Sequence, residues 1–384
     1  MGVSRQILIM FPHLLTDGGA ATATLQFASM LRRNGHSVSI LCAKASDSFI
    51  GDYKELDIQE LKIPISSSPL YWALLPFWQY RIHKTVAQYR DPILFPQVLP
   101  SNWWAWIYKK FNRDTKVIWY CHEPSAFFHS KNWIDAIPSY PMKVMAKLMR
   151  PITRALDIWL EKSSDVVVCN SLYTSSQYEK TYGRRAFNIA YPPFRDNDDV
   201  PNDGDKEKIV FTIGRLTKFK RVDTLIRAFE KFHESNPLFR LVIAGVGEYK
   251  SKLEELAKNS SASDNIAFLG RISEENKSAL LRRALVTVVA AHDEPYGIVP
   301  LESMDAGTPV IAHNSGGPRE TIVPNNTGYL YSTDSELVEY LEQIAHMDDS
   351  QYRIMQRACQ SRVKNFNLDE AEVHLLAALL KLHA

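Results

Sequence analysis

From Lys208 onward the chain repeats one pattern: a short run of consecutive apolar residues, a turn, then a segment whose apolar residues recur at helical spacing. KIVFTIGRL, FRLVIAGVG, NIAFLGR, LVTVVAA and TPVIAHN read as strands. RVDTLIRAFEKFHES, KSKLEELAKNS, SEENKSALLRRA and IVPLESMDAG read as the helices between them, and PRETIV as a short helical turn. Strands that are apolar on successive residues must be covered on both faces, and strand–helix alternation returns each strand parallel to the one before. The pattern predicts a parallel, Rossmann-like α/β domain.

The N-terminal half opens the same way, with a strand over Arg5 to Phe11, the turn PHLLTDGGA, a helical pattern through Leu25, Phe27, Ala28 and Leu31, and the strand HSVSILCA. DPILFPQ, TKVIWYCHE and SDVVVCNS read as further strands. A chain of 384 residues is long for one core, and PPFRDNDDVPNDGDKEK has linker composition without periodicity. The expected division is an N-terminal domain over 1–195 joined by a C-terminal helix over 368–384, a linker over 196–207, and a second domain over 208–367.

A formal net charge of +2 lacks the basic balance of a nucleic-acid binder, so no nucleic acid partner is expected. No apolar run reaches the ~20 residues that cross a bilayer, and MGVSRQILIMFPH has no signal-peptide cleavage site. The four cysteines form no CxxC pair and read as buried thiols of a reducing compartment. A cytoplasmic protein is expected, free or peripheral at a membrane face.

Peripheral contact has a candidate in residues 139–160, where Lys143, Lys147, Arg150 and Arg154 recur at helical spacing and Val144, Met145, Leu148 and Met149 form another face. Such a helix suits an anionic membrane surface, and equally an ordinary helix packed on its own domain. The Trp-rich PLYWALLPFWQYRIHK and NWWAWIYKK read as interfacial anchors in the first case and as buried aromatic packing in the second.

Ligands of open α/β sheets sit beyond the carboxyl ends of the strands. After the first strand come Gly18 and Gly19, whose missing side chains let a ligand approach the backbone or simply make a turn. After KIVFTI come Arg215 and Lys220, a forked guanidinium and a mobile ammonium suited to a diphosphate or to a solvated basic loop. The turn at Gly245 lacks the third glycine of a dinucleotide fingerprint, which disfavours a nicotinamide cofactor. After LVTVVAA comes HDEPYGIVPLE, in which Gly297 marks entry into a helix. Glu294 lies on the loop and Glu302 one to two turns into the helix, so the two are no close acid/base pair; each suits the hydroxyls of a different sugar ring. The acidic triplets at Asp196 and Asp203 fall in the linker, so no metal is expected.

GRLTKFK, the AGVG turn, FLGR, EPYGIVPLE and AHNSGGPRE, in this order and spacing, resemble the donor half of retaining glycosyltransferases of family 4. The resemblance implies the GT-B architecture, two Rossmann-like domains facing across a cleft. It implies a nucleotide-diphosphate sugar as donor substrate, uridine or guanosine, with no cofactor required. Arg215 and Lys220 would then hold the diphosphate, Glu294 the transferred sugar and Glu302 the ribose. The backbone of Tyr296, Gly297, Ile298 and Val299 would add N–H donors, and Gly245, Arg271 and Ile272 would edge the base pocket. Gly18 and Gly19 would lie near the diphosphate, and His122 of YCHEP would face the sugar. Glu123 is a weaker acceptor-side candidate, and Asn170-Ser171 also reads as a helix cap alone. Where this family often has Pro-Ser before the first acid, the chain has Ala291-His292-Asp293. The segment from YCHEP to YPPF is similar to mannosyltransferases that extend lipid-linked oligosaccharides, implying a glycan or lipid-linked acceptor. The rival readings are a soluble transferase acting on a small metabolite and a nucleotide-sugar-binding protein without catalysis.

Overall fold

Parallel pairing of the apolar runs builds the sheets of a computed structural model, which describes residues 4–15, 18–46, 50–64, 71–72, 74–129, 140–194 and 206–382. The chain divides into one unit of Met1–Pro193 with Leu368–Ala384 and a second of Phe194–Asn367. Of the expected linker, 196–205 lies outside the described residues, and Asp196 and Asp203 with it. So does Asp17.

The first unit holds β1 (Gln6–Phe11), β2 (Ser37–Cys42), β3 (Asp57–Glu60), β4 (Ile93–Pro96), β5 (Ile118–Cys121), β6 (Val166–Cys169) and β7 (Asn188–Ile189). Their order is β3-β2-β1-β4 in one sheet and β5-β6-β7 in another. A single parallel bridge from Leu94 to Val117 joins the two, with the Leu94 N–H donating to the Lys116 carbonyl at 2.9 Å. The order therefore reverses between β1 and β4. Alternate residues of β1 serve opposite faces. Ile7, Ile9 and Phe11 pack with Phe27 and Met30 of the Gly19–Arg33 helix and with Leu375 and Ala378 of the C-terminal helix Leu368–Lys381. Leu8 and Met10 join Ile82, Trp104, Trp106 and Leu160, from the helices Leu75–Val86, Ser101–Phe111 and Tyr140–Glu161.

This packing corrects the anchor reading of NWWAWIYKK. Trp103, Trp104 and Trp106 are 4%, 0% and 0% exposed. Their indole N–H groups donate to Asp157 Oδ1 at 2.7 Å, the Tyr71 hydroxyl at 2.6 Å and Ser164 Oγ at 2.7 Å. Rings spent on internal contacts with satisfied N–H groups are core, and no membrane can reach them.

The second unit is a six-stranded parallel sheet of β8 (Glu207–Ile213), β9 (Arg240–Ala244), β10 (Ile266–Gly270), β11 (Ala284–Val289), β12 (Val310–His313) and β13 (Gly328–Tyr331), in the order β10-β9-β8-β11-β12-β13. The order reverses between β8 and β11, each joined to its neighbours by parallel registers. Reversal leaves the loops after β8 and β11 side by side with no crossover helix covering them, and this is where such sheets take ligands.

Candidate active site

The loop after β8 runs through Gly214 and Arg215 into a single 3-10 turn, Lys218–Lys220, before the helix Val222–Ser235. Arg215 is exposed and its side chain has no partner among the described residues. Lys220 reaches across the switch point, its Nζ donating to Glu294 Oε2 at 2.5 Å, with the two side chains 33% and 22% exposed. Glu294 stands in the loop after β11, just before Gly297, whose φ of 83° enters the helix Ile298–Asp305. That helix has no side-chain cap, so the N–H groups of its first turn are left for an anion.

Glu302 occupies the same helix and meets a different lysine. Lys277 Nζ donates to it at 2.8 Å and to Glu274 at 2.6 Å. Burial works to lower the Lys277 pKa, but Glu302 and Glu274 together outweigh it and the net shift is upward. The two glutamates of EPYGIVPLE are thus held apart by separate cations.

The backbone of Glu294 is fixed by the glycine pair after β12. A Cβ on Gly316 would lie 2.3 Å from the Glu294 carbonyl oxygen, and one on Gly317 2.2 Å from that of Tyr296. This close approach lets the Gly317 N–H donate to the Glu294 carbonyl at 2.8 Å, while the Asp293 N–H donates to Ser315 Oγ at 2.8 Å. Beside it the His292 and His313 rings stack with centroids 3.5 Å apart. Burial lowers both pKa values, and His313 and then Arg221 lower that of His292 further, so neither ring carries a charge at neutral pH.

A parallel device sits after β9. A Cβ on Gly245 would meet the Gly214 carbonyl oxygen, and the Gly245 N–H donates to the Gly270 carbonyl at 2.7 Å. Gly245 therefore ties the Arg215 loop to the strand end that carries Arg271, which is exposed, and Ile272, which is half-buried.

In the first unit, Gly18 caps the Gly19–Arg33 helix with extended backbone, and a Cβ there would meet nothing within 4 Å. His122 follows β5 and is 7% exposed. Burial pushes its pKa down to about 3, which keeps the imidazole neutral. Ser171 caps the helix Leu172–Tyr182, accepting from the Thr174 N–H at 2.9 Å.

The sequence model described as "Glycosyl transferases group 1" matches residues 194–361, and that described as "Glycosyltransferase Family 4" matches residues 17–192. The chain belongs to these glycosyltransferases. The first match contains every second-unit residue above, and the second contains Gly18, Gly19 and His122. The alpha-1,3/1,6-mannosyltransferase ALG2 of Mus musculus is 27% identical to this glycosyltransferase over 273 residues, 62% of either chain, so the match spans about three fifths of that relative's length. HepE of Anabaena, solved with UDP and glucose, superposes over 98% of this chain and 99% of its own with a TM-score of 0.77 and 15% identity. Sucrose-phosphate synthase of Thermosynechococcus elongatus superposes over 99% of each with a TM-score of 0.76 and 19% identity. At such identities these likenesses establish the fold, two Rossmann-like α/β domains of the GT-B type.

Of the anticipated residues in this glycosyltransferase, Lys220 and Glu294 are brought into contact, and Arg215, Gly245, Arg271, Ile272 and Tyr296–Glu302 share the carboxyl edge of the second sheet. Three residues that bear on the site carry no individual role in the sequence reading: Lys277, and Gly316 and Gly317, which enter it only within the motif AHNSGGPRE. The glycine pair was visible as SGGP after a strand; Lys277 carries no motif.

Proposed function

We propose that this glycosyltransferase moves a hexose, mannose in the first instance, from a nucleotide-diphosphate sugar to a hydroxyl of a glycan or lipid-linked acceptor, with retention at the anomeric carbon. The Lys220–Glu294 bridge carries the reading, because it sets an ammonium and a carboxylate together in front of an uncapped helix N-terminus. Arg215, Lys220 and the N–H groups around Tyr296 to Val299 suit a departing diphosphate, whose negative charge they stabilise. Glu294 suits hydroxyls of the transferred sugar and Glu302 those of the ribose, with Gly245, Arg271 and Ile272 beside the base. His122 is assigned to a hydroxyl of the transferred sugar and Gly18 and Gly19 to the diphosphate, on the family resemblance. The reading calls on no metal, since Arg215 and Lys220 supply the positive charge. The naming of the ALG2 relative as a mannosyltransferase supports mannose; the UDP bound to HepE keeps uridine beside guanosine as the base.

The reading extends to peripheral contact with a cytoplasmic membrane face. Met145, Leu148, Met149, Ile152 and Trp159 of the helix Tyr140–Glu161 are 46–73% exposed. Among the described residues no helix is long and apolar enough to cross a membrane.

A thermal-shift and turnover screen over GDP- and UDP-sugars tests the proposal. A true donor at about 100 times its Kd adds about 2.7 kcal/mol to folding stability. Absence of any shift and any turnover overturns the reading. Binding with neither hydrolysis nor transfer indicates a binding protein, and transfer to a free small sugar with no lipid acceptor used indicates a soluble enzyme.

A further inference from the structure

We infer that Gln97 is a positioning residue that fixes the tautomer of His122, so that the imidazole presents Nδ1 as a hydrogen-bond acceptor; this rests on the sugar-facing role proposed for His122. Gln97 directly follows β4 at the strand-order reversal of the first unit and is wholly buried. Its main chain is fastened on three sides. The N–H donates to the Met10 carbonyl at 3.1 Å and to Ser101 Oγ at 3.3 Å, and the carbonyl accepts from the Trp119 indole at 3.2 Å. From this frame Gln97 Oε1 lies 3.0 Å from His122 Nε2. An amide oxygen only accepts, so Nε2 holds the proton and Nδ1 the lone pair. Tyr120 closes the ring's flank, its centroid 4.8 Å away at 73°. Among the described residues Nδ1 has no partner, which leaves it for a ligand hydroxyl.

The arrangement is not one that packing alone would select. Gln97 Nε2 is buried with no hydrogen-bond partner among the described residues. Such a group opposes folding, and an apolar side chain of similar shape avoids it. A carboxamide kept at that cost is explained by what its oxygen does for His122. The burial that holds the imidazole neutral has the same consequence: the ring has a choice of tautomer to be settled, not a charge.

The experiment compares Gln97→Met, Gln97→Glu and His122→Ala in the full chain, using turnover, thermal stability and 15N NMR of the histidine rings. Wild type is expected to show His122 protonated at Nε2. Gln97→Met is expected to give mixed tautomers and a turnover loss on the order of tenfold, the lower end for groups that orient a working imidazole, with a Tm equal to or above wild type. Gln97→Glu, which keeps an oxygen acceptor, is expected to restore most of the turnover at pH 8. A wild-type ring protonated at Nδ1, or an unchanged tautomer in Gln97→Met, overturns the inference, as does a glutamate variant no better than methionine. If His122→Ala turns over like wild type, the role proposed for His122 fails instead, and the NMR result still decides what Gln97 does.

Discussion

Lys220 Nζ donates to Glu294 Oε2 across the reversal point of the second sheet, while Glu302, on the helix behind, is held by Lys277. The two acids of one short segment therefore belong to two separate ionic contacts, and each can be tested alone.

Lys220→Ala and Glu294→Ala are expected to fold. With side chains 33% and 22% exposed, their ion pair is worth about 0–1 kcal/mol to stability. Turnover should fall about 100-fold or more, the scale for removing one preorganised group at developing charge. Initial rates beside melting curves check this: a wild-type rate in either variant removes that residue from the mechanism.

Gly317→Ala and Gly18→Ala should behave oppositely. The alanine methyl at Gly317 would sit 2.2 Å from the Tyr296 carbonyl oxygen, so the Glu294 loop must move, with a stability loss of about 1–3 kcal/mol and weaker donor binding. At Gly18 an added methyl meets nothing within 4 Å. Gly18→Ala should therefore keep the Tm of wild type and raise the donor Kd only if a diphosphate approaches that backbone. Chemical denaturation and donor titration of both variants separate the two effects.

His122 gives a pH signature. Its folded pKa is about 3 against an ordinary value of 6.5, a downward shift caused by burial. Between these values the unfolded chain binds a proton that the folded chain does not, so stability rises with pH through that window and is lost as pH falls. The slope from this group approaches about 1.4 kcal/mol per pH unit. Subtracting the pH–stability curve of His122→Gln from that of wild type should isolate it. Equal slopes from pH 4 to 6 would show that the imidazole is not buried neutral.

Much of this is legible in the sequence, for definite reasons. β8, β9, β11 and β12 are runs that must be covered on both faces, and a run of that kind has few readings. β3 is DIQE, half-exposed at a sheet edge, and β7 is two residues long; neither has an apolar run to read. Lys277 lies mid-helix in SEENKSALLRRA, and only the packing of that helix near Ile298–Asp305 brings it to Glu302. Asp157 was equally hidden. It looks like one more charge on an amphipathic helix, yet it is fully buried and accepts from Trp103, Ser125, His129 and Tyr182, at 2.7, 2.9, 2.9 and 2.8 Å. Donors drawn from three distant segments cannot be read from the spacing of one.

The same helix carries the last prediction. Met145, Leu148, Met149, Ile152, Leu156 and Trp159 fall on one face by helical spacing and are exposed. Lys143, Lys147, Arg150 and Arg154 fall on the opposite face, and the helix's two acids, Asp157 and Glu161, are buried and engaged. An outward apolar stripe backed by cations is the pattern of a helix lying in an anionic interface. Lys110, over the Trp159 ring at 4.1 Å, adds a cation at its end. Wild type should float with vesicles containing phosphatidylglycerol, less so as salt is raised, and not with phosphatidylcholine alone. Leu148→Glu with Ile152→Glu replaces side chains 73% and 61% exposed, so the Tm should hold. Partitioning should drop by on the order of a hundredfold or more, because each lost apolar side chain contributes about 1.5–3 kcal/mol when buried. Wild-type protein that stays in the aqueous fraction at low salt would remove the membrane from the proposed reaction and leave the transfer chemistry to a soluble acceptor.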